Sequence, residues 1–354
     1  MPYNLGMKQL TLALPFALPP AELAADLQRA MQAPALAALL SRTHEHRLTA
    51  FDNSTRVLPH EAWLAHALGL AGAPDGPAAG VPLAPAVMRG FGQAPAAGYW
   101  LLVHPVHVQI ARNHLLMGDQ RQLPLDEADA RALFDAARPY FDEIGKPLLY
   151  GDAQTWFVRA DDWGGLRTAS PDAATGQNLT AWMPEGEQAR ASRKLQNEVQ
   201  MLWHEHPVNV ARQARGLAPV NSFWLWGGAD AAPAAAPGPL LLSADCPPWL
   251  AALAAPPRRP AELAAVLGRA DERALVALGG LVGAGLGADW SHWLLQMQRL
   301  EQQWFAPLLA ALKNGSLGQL TLMLSNRDAY AEFSGSKQAQ RKFWRKITLN
   351  KLST

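Results

Sequence analysis

A single cysteine, Cys246, occurs among 354 residues. That excludes an internal disulfide framework and fits a reducing compartment. In the context Asp245-Cys246-Pro247-Pro248 the thiol reads as a small hydrophobe rather than a nucleophile. Charge is also scarce: charged residues make up 17% and the formal net charge is +1, so no global field calls for nucleic acid or an anionic membrane. No run approaches the ~18 uninterrupted apolar residues that a bilayer crossing needs. Leu10 to Leu18 could mimic the apolar part of a secretion signal. Pro15, Pro19 and Pro20 interrupt it, however, and an amphipathic helix follows at once, so a cytoplasmic location is the default expectation. Metal-ligand spacing is missing too. The pairs His44/His46, His204/His206 and His104/His107 have no third ligand at a recognisable distance, and there is no Cys cluster. The Gly-rich stretch Gly279 to Gly287 lacks both the GK[ST] ending and the full dinucleotide fingerprint.

What is present is a large apolar share, 49%, in a chain long enough for two domains or one α/β unit with an insertion. Gln9 to Leu14 reads as a buried first strand, and Ala21 to Leu40 as a helix with Leu23, Leu27, Met31 and Leu36 inward. Ser41 to Asn53 is polar, Leu58 to Leu70 is a short helix, and Ala71 to Pro95 is a long loop. Tyr99 to Ile110 is aromatic and β-branched, hence a strand, with Leu115 to Gly118 as its hairpin partner. A helix over Leu123 to Phe141 and strands at Leu148 to Tyr150 and Thr155 to Arg159 complete a compact α+β module. Beyond it come the strand Val220 to Trp226, the linker Gly227 to Pro239, a strand at Leu240 to Leu242, and helices at Ala261 to Leu267 and Glu272 to Leu278. A long helix from Asp289 to Leu312, a buried strand from Leu317 to Leu324 and a short basic helix end the chain.

The run Asn197 to Gly228 concentrates Asn, Gln, three Trp, two His and two Arg in a chain dominated by Ala, Leu and Pro. Such polar groups are costly to bury unless paired. It reads as helix, Pro-marked break, short helix, Gly turn and strand. Arg193, Asn197, Gln200 and His204 recur at spacings of four, three and four, so they share one helical face opposite Leu195, Val199 and Leu202. Two readings stay open: a buried polar network locking the helix to the strand ending in Trp226, or a ligand-binding face joined by Arg212 and Asn221.

The tail carries Lys337, Arg341, Lys342, Arg345, Lys346 and Lys351 with no acid between them. Phe343 and Trp344 are expected to dock it on the core with the bases solvated; nucleic-acid contact is the alternative.

NEVQMLWHEHPVN, RGLAPVNSFWLWGG, YWLLVHPVHV and Met183-Pro184-Glu185-Gly186 together resemble the bacterial RpfE-type regulatory proteins. A second resemblance is to the archaeal-type cofactor-independent phosphoglycerate mutases of the alkaline phosphatase superfamily. It rests on His206-Pro207-Val208-Asn209, Arg212, Gly216, Pro219-Val220-Asn221 and Gly227-Gly228. It implies an α/β fold: a phosphatase-like sheet core flanked by helices, residues 1–95 and 227–354, with an inserted α+β domain at 96–226.

The family's chemistry does not carry over with it. Where the resemblance puts a metal-binding Asp after the first strand, Leu14 is followed by Pro15 and Phe16. The family's Ser nucleophile run falls on Pro59-His60-Glu61-Ala62-Trp63, and its late metal ligands on Ser325-Asn326-Arg327-Asp328. Trp226 replaces an Arg, and no Asp precedes a His by four. The expectation is therefore a non-catalytic relative without a metal cofactor, binding a small molecule or protein, with no membrane role. Its ligand-binding or hinge residues would be Arg193, Asn197, Gln200, His204, His206, Asn209, Arg212, Asn221 and Trp226. The alternative is an active metal-dependent phosphotransferase with relocated ligands His44, Asp52 and Asp328.

Overall fold

The computed structural model describes residues 7, 9–52, 55–71, 80–111, 114–231, 240–254, 262–269, 273–342 and 344–353. Ala261, Glu272, Phe343, positions 72–79 of the expected loop and most of the expected linker lie outside these. In chain order the strands are β1 (Gln9–Leu14), β2 (Glu45–Ala50), β3 (Tyr99–Val106), β4 (Val108–Ala111), β5 (His114–Met117) and β6 (Leu148–Tyr150). They continue as β7 (Trp156–Arg159), β8 (Ser222–Asp230), β9 (Leu240–Ala244), β10 (Arg273–Leu278), β11 (Gln319–Ser325) and β12 (Ala329–Ser336).

The chain divides into two compact units, one of Met1–Asn53 with Pro237–Thr354, the other Ser54–Ala236. Residues 54–95, assigned to the core from sequence, thus go with the second unit. Backbone bonds hold them there: Leu83 N donates to Gly227 O at 3.0 Å, and Ser170 N to Arg56 O at 2.9 Å. The expected long loop also contains a helix, Ala84–Gly90.

The first unit is built on one six-stranded sheet in the order β2-β12-β11-β1-β10-β9. β1 runs parallel to both β10 and β11, with Leu12 beside Val276 and Leu322. Covered on both faces, these strands are almost wholly apolar, as central parallel strands are. That is why Glu272 to Leu278 was misread: a short apolar run carries no period to separate strand from helix, and Arg273–Leu278 is a strand. The opposite edge is antiparallel. β2, EHRLTA, is almost fully exposed, and its charged side chains blunt a free edge.

Two expected long helices are interrupted, and the interruptions meet. The first splits into Ala24–Ala30 and Pro34–Ser41, because Pro34 cannot continue a preceding helical turn. The second breaks at a wide π turn, Glu301–Phe305, ahead of Pro307, which has no N–H to offer the preceding turn. The π turn holds the buried Glu301 where its carboxylate accepts from Ala35 N at 2.7 Å and Leu36 N at 3.1 Å. Glu301 therefore satisfies the start of Pro34–Ser41.

The second unit carries the antiparallel sheet β6-β7-β3-β8 and the hairpin β4-β5. Its core is aromatic: Trp156, Trp163, Trp203 and Phe223 are buried with Phe134 and Phe141 from the helix Glu127–Glu143. β8 runs on to Asp230, so Gly227 and Gly228 belong to a strand and not to a linker. A Cβ at Gly228 would lie 2.7 Å from Tyr99 Cζ, so only glycine lets β3 approach this closely.

Candidate functional site

The helix Ala189–His204 buries Leu195, Val199 and Trp203, as its spacing requires. Arg193, Asn197, Gln200 and His204 lie exposed on its other side. They therefore form no buried network, and that half of the structural reading is corrected. Helical spacing fixes which residues share a face, not which face meets solvent. The polar contact to the sheet comes instead from Gln196, whose Nε2 donates to Phe223 O at 2.7 Å.

The other hinge residues serve the backbone. His206 opens the helix Pro207–Ala214, its Nδ1 accepting from Val208 N at 3.3 Å. Asn209, 1% exposed, donates to Trp203 O and Val220 O and accepts from Val220 N, each at 2.8 Å. Arg212 donates to Ala218 O at 3.0 Å and Pro124 O at 2.7 Å. Asn221 spans Val108, accepting from its N at 2.8 Å and donating to its O at 2.7 Å. Trp226 is buried with its ring 6.1 Å from that of His104. His206, Asn209, Arg212 and Asn221 each bond main-chain groups, so the Asn and Arg positions of the motif build the crossing from helix to β8.

In an open α/β sheet, ligands bind beyond the carboxyl ends of the parallel strands. In the first unit that edge carries Pro15 and Phe16 after β1, Asp245 and Cys246 after β9, Gly279 and Gly280 after β10, and Asn326 after β11. Phe16 holds a left-handed backbone, φ 61°, rare for an aromatic residue. Its N–H donates to Ser325 Oγ at 3.4 Å and its carbonyl accepts from Trp293 Nε1 at 2.7 Å. A Cβ at Gly285 would lie 2.5 Å from Phe16 Cδ1, so the ring sits directly on that glycine. Phe16, Trp293 and Ser325 are all buried. The sheet's central carboxyl edge is thus filled by an aromatic plug.

Around the plug, Asp245 is also left-handed, φ 55°. Gln296 Nε2 lies 2.7 Å from His292 Nε2. Burial pushes the Cys246 thiol up to about 12, and its Sγ donates to Ala244 O at 3.3 Å, so it is inert as a nucleophile. Asn326 Oδ1 accepts from Asp328 N at 2.9 Å and Ala329 N at 2.8 Å, closing the turn into β12. Among the described residues no group of three His, Cys, Asp or Glu side chains could hold a metal ion. The relocated set fails on distance. Phe51 N donates to Asp328 O at 2.7 Å, which places Asp52 near Asp328. His44 N instead donates to Ser334 O at the far end of β2. Eight residue steps along the β2 segment separate His44 from Asp52, roughly 25 Å at ~3.3 Å each.

In the second unit the run Pro59-His60-Glu61 starts the helix Pro59–Ala67. Glu61 is buried and its carboxylate accepts from Leu58 N at 2.7 Å, capping the helix. Burial, aided by the Asp172 charge, pushes its carboxyl up to about 8. Burial lowers His60 to about 4, against the opposing pull of Asp172. His104 is likewise buried and lowered to about 4, its Nδ1 2.6 Å from Gln154 O. Asp172 pairs with Arg121 through two bonds, 2.7 and 3.2 Å. Sequence spacing did not reveal this cluster of buried titratable groups; its only signal was the adjacent His60 and Glu61 at the start of a largely apolar helix.

No family profile matches the chain. Sequence similarity reaches the 2,3-bisphosphoglycerate-independent phosphoglycerate mutase 2 of Methanothermobacter thermautotrophicus, at 27% identity over 123 residues, 33% of this chain and 31% of that protein. It also reaches the 2,3-bisphosphoglycerate-independent phosphoglycerate mutase of Methanothrix thermoacetophila, at 35% over 57 residues, 16% of this chain and 14% of that protein. The chain therefore spans less than a third of the curated relatives it matches. A solved structure from Pyrococcus horikoshii superimposes with a TM-score of 0.53 at 11% identity, covering 94% of this chain and 88% of that one. The cofactor-independent phosphoglycerate mutase of Thermoplasma acidophilum covers 98% of this chain and 95% of its own, with a TM-score of 0.45 at 14% identity. The fold, a mixed α/β arrangement with a central sheet flanked by helices, is shared with the Pyrococcus horikoshii structure. The divalent metals that the mutase resemblance implies do not fit this edge: beside the one carboxylate of Asp245 the strand ends offer a phenyl ring, a hydroxyl and an amide, and among the described residues no group of three His, Cys, Asp or Glu side chains could hold such an ion.

Proposed function

We propose that this chain is a non-catalytic phosphoglycerate mutase-like protein with a binding or regulatory role. The observation that carries the reading is the seat of Phe16 against Ser325, Trp293 and Gly285, where the mutase resemblance puts a metal-binding Asp. A phenyl ring cannot bind a divalent ion, and a buried ring bonded through both backbone groups cannot swing aside cheaply. The nucleophile position supports the same reading, since His60 and Glu61 lie buried in a helix cap. A regulatory role is what the resemblance to RpfE-type proteins implies. In this reading the partner is a small molecule or protein, no metal cofactor is required, and the exposed row Arg193, Asn197, Gln200 and His204 is the polar face offered to it. Calorimetric titration with manganese tests the reading: no saturable site is expected, and one that binds at micromolar concentration would overturn it.

A further inference from the structure

The basic tail is not the solvated fringe its composition suggests. Arg345 Nη1 donates to Ser41 O at 3.2 Å and Thr43 O at 3.0 Å, and Lys351 Nζ donates to the buried Thr43 Oγ1 at 2.9 Å. Ser41 Oγ bonds both backbone groups of Thr348, at 3.0 and 3.1 Å. The chain end is thereby pinned beside Ser41–Thr43. Lys342, Arg345 and Lys351 are close enough that burial and the charges of Arg345 and Lys342 hold the Lys351 ammonium below the usual lysine range.

Like charges gathered this way repel one another, and a carboxylate would ordinarily sit among them. Among the described residues none pairs with Arg341, Lys342, Arg345, Lys346 or Lys351. The nearest strands turn theirs away. His46 faces Phe333 and stacks on it at 4.4 Å, with Lys351 Nζ 5.8 Å above the same ring. Glu332 faces Arg47 in the next register position, on the other side of the sheet. The indole of Trp344, next in sequence to Arg345, is 69% exposed.

We propose that Lys342, Arg345, Lys351 and Trp344 form a binding face for the phosphates of single-stranded nucleic acid, with Trp344 stacking on a base. Cations tracking a backbone beside an aromatic platform are how single strands are held without sequence readout. A duplex keeps its bases stacked and offers the indole nothing. The inference is independent of whether the sheet edge is catalytic.

The test is fluorescence anisotropy of a labelled oligothymidylate with the full chain at 50 and 200 mM salt. Binding with a log–log salt slope of about −2 is expected, three cations at ~0.7 each. Lys342→Gln is expected to flatten the slope by about 0.7, and Trp344→Ala to weaken binding about tenfold while Trp344→Phe retains most of it. Both positions are at the surface, and circular dichroism checks that the variants fold. ATP competing as tightly, per molecule, as the oligonucleotide would support the face and name a nucleotide as its source. No binding at 50 mM salt, affinity unmoved by both variants, or association only with phosphatidylglycerol vesicles would overturn the proposal.

Discussion

Trp293 Nε1 donates to the carbonyl of Phe16 at 2.7 Å, and that bond fixes an aromatic ring at the carboxyl end of the central strand. Both residues are buried, Trp293 completely, so the bond has no water to replace it. Trp293→Phe is expected to cost about 2 kcal/mol by urea denaturation, from an orphaned carbonyl and a smaller ring.

Gly285 reports on the same seat. A Cβ there would meet Phe16 Cδ1, Cγ and Cβ at 2.5, 2.7 and 2.8 Å, so Gly285→Ala should destabilise by about 1–3 kcal/mol through overpacking. In the Phe16→Ala background the same change should cost far less, since the clashing ring is gone. Additive losses in that double-mutant cycle would show that the ring does not rest on Gly285.

The hinge motif separates into two classes under alanine substitution. Asn209→Ala removes three bonds from a residue 1% exposed and is expected to lose about 3 kcal/mol. Asn197→Ala and His204→Ala, on the exposed row, should stay within about 0.5 kcal/mol. Chemical denaturation of the three variants side by side checks the ordering.

The buried groups of the second unit predict a pH dependence with a definite sign. Glu61 rises from 4.5 to about 8 on folding, so its cost grows as pH climbs from 4.5 and is full above 8. His60 and His104 fall from 6.5 to about 4, so their cost grows as pH drops from 6.5 through 4. Glu61→Gln keeps an acceptor for Leu58 N and removes the ionisation. Relative to the parent chain, its Tm should rise progressively between pH 5 and 8, by on the order of 5 °C at the upper end. A constant offset across that range would assign the effect to packing instead.

How far the sequence could be read depended on what each segment had to bury. β1 and β11 lie in apolar runs that only central parallel strands require, and both were legible. β10 has the same burial, but its RALVAL pattern carries no period and was read as a helix. β12 was missed because Ser334, Gly335 and Ser336 resemble a turn, although the strand pairs with β11 along its whole length. At the hinge, the apolar stripe of Leu195 and Val199 was correct, while the fate of its polar face was not. Spacing assigns residues to a face, but exposure depends on partners distant in sequence. Arg345 and Lys351 follow the same rule. Their bonds to Ser41 and Thr43 close across more than 300 positions, beyond any local pattern.

Turnover is the most direct test of the central claim. The purified chain would be assayed for phosphoglycerate mutase and for phosphomonoester hydrolysis with saturating manganese, with and without chelator. The account predicts no rate above the protein-free background in either condition, and none gained by Phe16→Asp, since one carboxylate beside Ser325 and Asn326 does not make a two-metal site. Turnover by the parent chain that chelator abolishes would contradict it.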